Sequence, residues 1–202
     1  PYLFFIATIG LLSLWPRADD RDGAPVRLTA ALITATSLLG FVLAGAVMTD
    51  SAMAFCTTLC MVSFWRAVQP ARGARYWGWL FFVGIGLGLL AKGPIALVLT
   101  AASIGLWVIR HNAWALFWTR LPWVGGTLLA LAIALPWYVL AERATPGFLR
   151  YYIIGEHVQR FLNKGWTGDL YGTGRAQPRG TIWLFALAAF VPWTFMLPWW
   201  FG

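Results

Sequence analysis

WGWLFFVGIGLGLLAKGPIALVL (residues 77–99) reads as two apolar helical segments hinged on Lys92-Gly93-Pro94. Trp77–Ala91 is expected as one membrane span and Pro94–Ile109 as the next. Gly84, Gly86 and Gly88 stand on alternate positions of the first segment, where missing side chains let helices approach closely. Lys92 is the informative residue. A lone ammonium costs roughly 2.5–3.5 kcal/mol at mid-membrane and less toward the interface. A lysine at a helix end can simply snorkel. The other reading is an anion ligand, a point charge in an interfacial cavity followed by a Gly-Pro turn that fixes its place.

The rest of the chain supports a polytopic helical membrane protein. Of its 202 residues 60% are hydrophobic and only 11% charged, and the mean hydropathy is +0.70. Most of the 14 Trp lie near the ends of apolar runs, where interfacial aromatic belts form. The net charge of +8 is spread over loops, so anionic lipid or a phosphate-bearing substrate is the expected partner and nucleic acid is not. Cys56 and Cys60 sit one helical turn apart inside an apolar run, a placement suited to core packing and not to a disulfide.

About seven spans are expected: Tyr2–Trp15 (truncated), Leu28–Met48, Ser51–Val68, Trp77–Ala91, Pro94–Ile109, Leu121–Ala141 and Thr181–Phe201. The chain is expected to be an internal piece of a longer protein, with residues 1–202 forming part of one transmembrane domain. Among short loops, Arg17, Arg21, Arg27, Arg66, Arg72, Arg75, Arg110 and Arg120 fall on one side and Lys92 on the other. The positive-inside rule puts the arginines in the cytoplasm. Asp50, Lys92 and the long polar segment 142–180 then face outward together, although they are far apart in sequence.

That segment contains GFLRYYIIGEHVQRFLNK (residues 147–164), expected as an amphipathic interfacial helix. On a 3.6-residue wheel Leu149, Tyr151, Ile154, Val158, Phe161 and Leu162 share one side. Glu156, Arg160 and Lys164 lie on the other, with Arg150, His157, Gln159 and Asn163 beside them. His157 and Arg160, at i and i+3, could hold one anionic group, or the helix could merely anchor on headgroups. Glu156-His157 is a poor two-ligand metal pair, because adjacent helical residues diverge by about 100°. Asp50, the only acid between Asp22 and Glu142, caps the third span or carries a charge in a site. GWTGDLYGTGRAQPRG (residues 165–180) follows no strand, so it fits a mobile substrate loop and not a nucleotide loop.

TDSAMAF, GLGLLAKGPIALVL, LPWY with PGFLRYY, and EHVQRF resemble, in that order, the bacterial glycosyltransferase family 39/83 membrane enzymes over about residues 40–165. The likeness extends to lipid A 4-amino-4-deoxy-L-arabinose transferases and, at more distance, protein O-mannosyltransferases. It implies an all-α fold of the glycosyltransferase-C type, set in the bacterial inner membrane as a multi-pass protein with an interfacial helix framing a periplasmic cavity. It also implies transfer of a sugar from a polyprenyl-phosphate carrier to a lipid A, glycan or protein acceptor, with no nucleotide. By position, Lys92 and Arg160 match carrier-phosphate ligands, Asp50 a catalytic acidic motif, and Arg150 and Glu156 the substrate-facing loop and helix. His157 matches a ligand for a divalent metal, zinc, whose partner lies outside this chain. The motif at Asp50 lacks the Pro often found nearby in the family. The family's first outside loop, with its leading acid and Glu-Lys-Pro motif, is absent here, so the general base and half the metal site are missing and this piece alone is not expected to be active. The chemistry implied is an inverting single displacement. A transporter or lipid-carrier flippase is the alternative; it would show internal repeats with broken helices near mid-membrane, and no such repeat is visible.

Overall fold

The computed structural model describes residues 1–15, 23–45, 49–70, 73–163, 166, 168 and 178–201. These residues are helical throughout, with no strand among them. In chain order the helices are α1 (Tyr2–Leu12), α2 (Gly23–Thr36), α3 (Leu38–Gly45), α4 (Asp50–Val68), α5 (Ala74–Lys92), α6 (Pro94–Arg110), α7 (Trp114–Arg120) and α8 (Trp123–Ala144). A π-helix over Arg150–Gln159 follows, then α9 (Arg160–Leu162), α10 (Thr181–Ala189), a 3₁₀ turn (Trp193–Met196) and α11 (Leu197–Phe201).

Among the described residues three helices are long and apolar enough to cross a membrane, α4, α5 and α8, with a bent pair, α10 and Trp193–Trp199, as a fourth if it counts as one span. Helix α8 and the shorter α6 turn apolar side chains outward, with Val124 80% and Leu106 69% exposed, as suits lipid contact and not water. Helix α5 is central, packed on α4, α6 and α8. Its alternating glycines explain how. A Cβ on Gly84 would stand 2.7 Å from the Cys60 Sγ of α4, whereas one on Gly86 would stand 3.0 Å from the Ala130 carbonyl of α8. The stripe therefore seats two helices on opposite sides of α5, as its spacing predicts. Cys56 and Cys60 are buried free thiols that fill this seam.

The densest core, around Cys60, Phe64, Phe81, Phe82, Ile104 and Val108, lies in the half of the bundle away from Lys92. Phe64, Phe117 and Trp107 close it with edge-on ring contacts. Helix α1 runs parallel to α4, with Phe4 beside Phe55 and Trp15 stacked on Trp65. α8 runs parallel to α5, with Gly78 against Pro122 and Leu89 against Tyr138. One end of the bundle thus gathers the start of α4, the α5–α6 junction and the end of α8.

Three expected elements differ. The span over Leu28–Met48 is interrupted between α2 and α3, where the Ser37 hydroxyl donates to the Thr34 carbonyl and accepts the Gly40 N–H. Local hydroxyl bonds of this kind compete with the helical ladder. The span over Thr181–Phe201 bends by 99° between α10 and Trp193–Trp199. Pro192 stands in the break and has no N–H to continue the helix. The helix over 147–164 is a π-helix for most of its length, and the wheel drawn at 3.6 residues per turn does not describe it.

Candidate functional site

The Lys92-Gly93-Pro94 hinge builds the site. Gly93 has φ 68° and ψ −151°, a conformation open to glycine, and Pro94 starts α6 at a position where its missing N–H costs nothing. The turn leaves α5 carbonyls to be satisfied, and side chains from other elements take them. The Tyr138 hydroxyl of α8 donates to the Leu89 carbonyl at 2.6 Å, and His157 Nε2 lies 3.1 Å from the Lys92 carbonyl. The Leu89 carbonyl also accepts the Gly93 N–H at 2.9 Å, so the Tyr138 bond adds to a group already partnered; a carbonyl left wholly unsatisfied in an apolar surround costs on the order of 2–7 kcal/mol. These two caps therefore pin α8 and the π-helix to the hinge.

At the same end the Lys92 ammonium pairs with the Asp50 carboxylate at the start of α4. The two side chains are 39% and 34% exposed. The ammonium has three donors, and at this exposure a ligand can reach it beside Asp50. A pair so exposed contributes about 0–1 kcal/mol to stability. Its removal is therefore expected to change function more than folding.

The π-helix sets the other side chains through its i,i+5 spacing. Tyr151 donates to the Glu156 carboxylate, and His157 Nδ1 lies 2.7 Å from the Tyr152 carbonyl, both across five residues. Glu156 also accepts from the Arg160 guanidinium at 2.8 Å; its own side chain is 15% exposed and that of Arg160 is 45% exposed. Tyr152 and His157 reach the hinge, Gly155 is buried against Trp166 and Tyr151, and Ile153, Ile154, Val158 and Leu162 are exposed. Of the expected apolar stripe Ile154, Val158 and Leu162 are exposed whereas Leu149 and Tyr151 are half-buried, and Tyr152 and His157 turn toward the hinge. Arg150 is exposed at the helix start.

The structure thus brings Asp50, Lys92 and His157 together. Arg160 stands one turn beyond His157 with its guanidinium on Glu156. Glu156 serves the helix itself, holding Tyr151 and Arg160. Both His157 ring nitrogens face carbonyl oxygens; a neutral ring donates to one of them only. To ligate a metal the ring would have to give up one of these contacts, and no group of three metal-binding side chains exists among the described residues. Lys164 and most of the loop over 165–180 lie outside the described residues.

Four residues that the sequence reading left without a role, Trp137, Glu142, Phe148 and Tyr152, complete the geometry. Tyr152 packs over Gly93, its hydroxyl 2.7 Å from where a Cβ would stand. Burial, then Tyr138 and Glu156 nearby, push its phenol up to about 12, so it stays protonated at any working pH. Trp137, Phe148, Tyr152 and His157 form a run of ring contacts at 5.1–5.4 Å that docks the π-helix on α8. The Glu142 carboxylate accepts the N–H groups of Gly147 and Leu149 at 2.9 and 2.8 Å, closing the turn that leads there. LPWY and PGFLRYY held these aromatics, but neither spacing showed which hinge they close on.

Fold and site together define a helical membrane protein with a cationic polar site at one end of its apolar bundle. The chain belongs to the family described as dolichyl-phosphate-mannose-protein mannosyltransferase, whose profile matches residues 3–152. Curated relatives include undecaprenyl phosphate-alpha-4-amino-4-deoxy-L-arabinose arabinosyl transferases. The one from Edwardsiella ictaluri is 27% identical over 200 residues, covering 96% of this chain and 34% of the relative. A second, from Sodalis glossinidius, is 32% identical over 203 residues, covering 96% and 34%. A third, from Pseudomonas fluorescens, is 34% identical over 149 residues, covering 69% and 24%. The likeness is wider than the stretch 40–165 that carries the sequence motifs. The chain spans about a third of the length of these relatives. No solved structure matches it significantly.

Proposed function

We propose that the protein containing this chain is a glycosyltransferase that takes a sugar from an undecaprenyl-phosphate carrier, with 4-amino-4-deoxy-L-arabinose as the sugar and a lipid A-like glycolipid as the acceptor. The observation that carries the reading is the half-exposed Lys92 ammonium, fixed at a glycine–proline hinge by Asp50 and flanked by His157. The names of the relatives supply the donor class. The arginine-rich loops favour a bacterial inner-membrane protein with about seven passes whose site faces the periplasm, away from nucleotide pools.

In the proposed reaction an acceptor hydroxyl oxygen attacks the anomeric carbon as the bond from that carbon to the carrier phosphate oxygen breaks. The electron pair stays on the phosphate. Lys92 stabilises this growing charge in a partly dehydrated site, where such contacts count most. Arg160, turning from Glu156, adds a planar fork to the same group. Asp50 holds the ammonium in place and presents its other carboxylate oxygen to the acceptor side. The acceptor proton goes to a base outside this chain. Arg150, at the exposed start of the π-helix, meets the substrate headgroup.

The test is the full-length protein, reconstituted with labelled carrier-linked sugar and a lipid acceptor. Label on the acceptor supports transfer. Intact carrier crossing the bilayer with no label transferred would overturn the reading.

A further inference from the structure

We propose that the end of the bundle opposite Lys92 carries a binding site for the phosphate headgroup of an anionic phospholipid, with Arg75 and Arg120 as its ligands. There a cavity of about 340 Å³ opens where the end of α4, the start of α5, the end of α7 and the start of α8 meet. Ala67, Ala74, Arg75, Thr119, Arg120 and Pro122 line it. Its size lies within the roughly 300–1,000 Å³ of small-ligand sites.

Charge gives the ligand's sign. Arg75 and Arg120 both line the cavity, and neither makes an ion pair with a described residue. The carboxylates among the described residues are Asp50, Glu142 and Glu156, and all three belong to the Lys92 end. Arg66, next to the lining residue Ala67, lies 5.3 Å over the Trp77 ring, and its buried Nε makes no hydrogen bond with a described residue. Two guanidiniums suit a phosphate diester; the Thr119 hydroxyl at the rim already donates to the Ala115 carbonyl.

The setting identifies that phosphate as a lipid's. On α7, beside the cavity, Trp114 and Trp118 are exposed, aromatic side chains of the kind that sit at the headgroup level. Basic pockets between helices at a membrane face are where anionic headgroups bind.

The experiment is native mass spectrometry of the full-length protein, released from nanodiscs of mixed phosphatidylglycerol and phosphatidylcholine. Wild type is expected to retain phosphatidylglycerol preferentially. Each arginine near a membrane surface is worth about a fivefold change in affinity, so Arg75→Gln with Arg120→Gln should cut the preference about 25-fold. Arg75→Lys with Arg120→Lys keeps the charge and should keep the preference. Unchanged selectivity in the Gln pair, or equal loss in the Lys pair, would overturn the proposal. Displacement of the lipid by millimolar inorganic phosphate would assign the site to free phosphate instead, and would equally refute the lipid.

Discussion

Gly93→Ala tests the hinge on which the site is built. The change imposes two separable costs. Alanine at φ 68°, ψ −151° is strained, which costs about 1–3 kcal/mol. Its Cβ would also stand 2.7–2.9 Å from the hydroxyl and ring carbons of Tyr152, an overpacking worth about 1–3 kcal/mol more. The single variant should therefore lose roughly 2–6 kcal/mol. Because Tyr152 carries the carbonyl that His157 faces, relief of the clash would shift the ring off the Lys92 carbonyl and lower transfer as well. Tyr152→Ala removes the clash and leaves the backbone strain. In that background the further cost of Gly93→Ala should fall to about 1–3 kcal/mol. The assay is thermal unfolding of full-length variants in detergent, read as a double-mutant cycle. An identical cost of Gly93→Ala in both backgrounds would refute the claim that Tyr152 closes on this turn.

Tyr138→Phe removes the hydroxyl bond to the Leu89 carbonyl and should cost about 0.5–1.5 kcal/mol in the same unfolding assay, since the Gly93 N–H still reaches that oxygen. The Tyr152 phenol is raised from 10.0 to about 12, so its contribution to stability is full below pH 10 and is lost as pH rises toward 12; thermal melts across that range should show the loss, and Tyr152→Phe should flatten it. Arg160→Lys should impair transfer, because an ammonium cannot reproduce a bidentate fork, and Lys92→Ala with Arg160→Ala should be less than additive in transfer kinetics if both act on one phosphate. With native Cys56 and Cys60 replaced, cysteine at Asn163 should react with an impermeant thiol reagent from the periplasmic side and cysteine at Gly73 should not; reversed labelling would overturn the shared outward face.

The class of fold was legible in composition, in the glycine stripe of α5 and in Lys-Gly-Pro, because each of these acts through local chemistry. Shared topology also put Asp50 and Lys92 at one end, yet not in contact. Their pairing spans 42 residues and depends on the close α4–α5 seam, which spacing alone does not set. Ser37 gave little warning, since a hydroxyl that breaks one helix is tolerated within another. Pro192 lies inside the apolar run that reads as one span, and hydropathy carries no signal of the break that a proline makes there. The π-helix is the clearest case. Its i,i+5 contacts turn Tyr152 and His157 inward, and no pattern tuned to 3.6 residues per turn can find that face.

The central claim is that Lys92 holds the carrier phosphate, and the affinity of the full-length enzyme for undecaprenyl phosphate, measured beside its transfer rate, tests it most directly. Lys92→Ala should weaken carrier binding at least about tenfold and cut transfer by roughly tenfold to a thousandfold, while the thermal unfolding temperature changes little. A Lys92→Ala enzyme with normal carrier affinity and normal turnover would contradict the account and leave Lys92 as the anchor at a helix end.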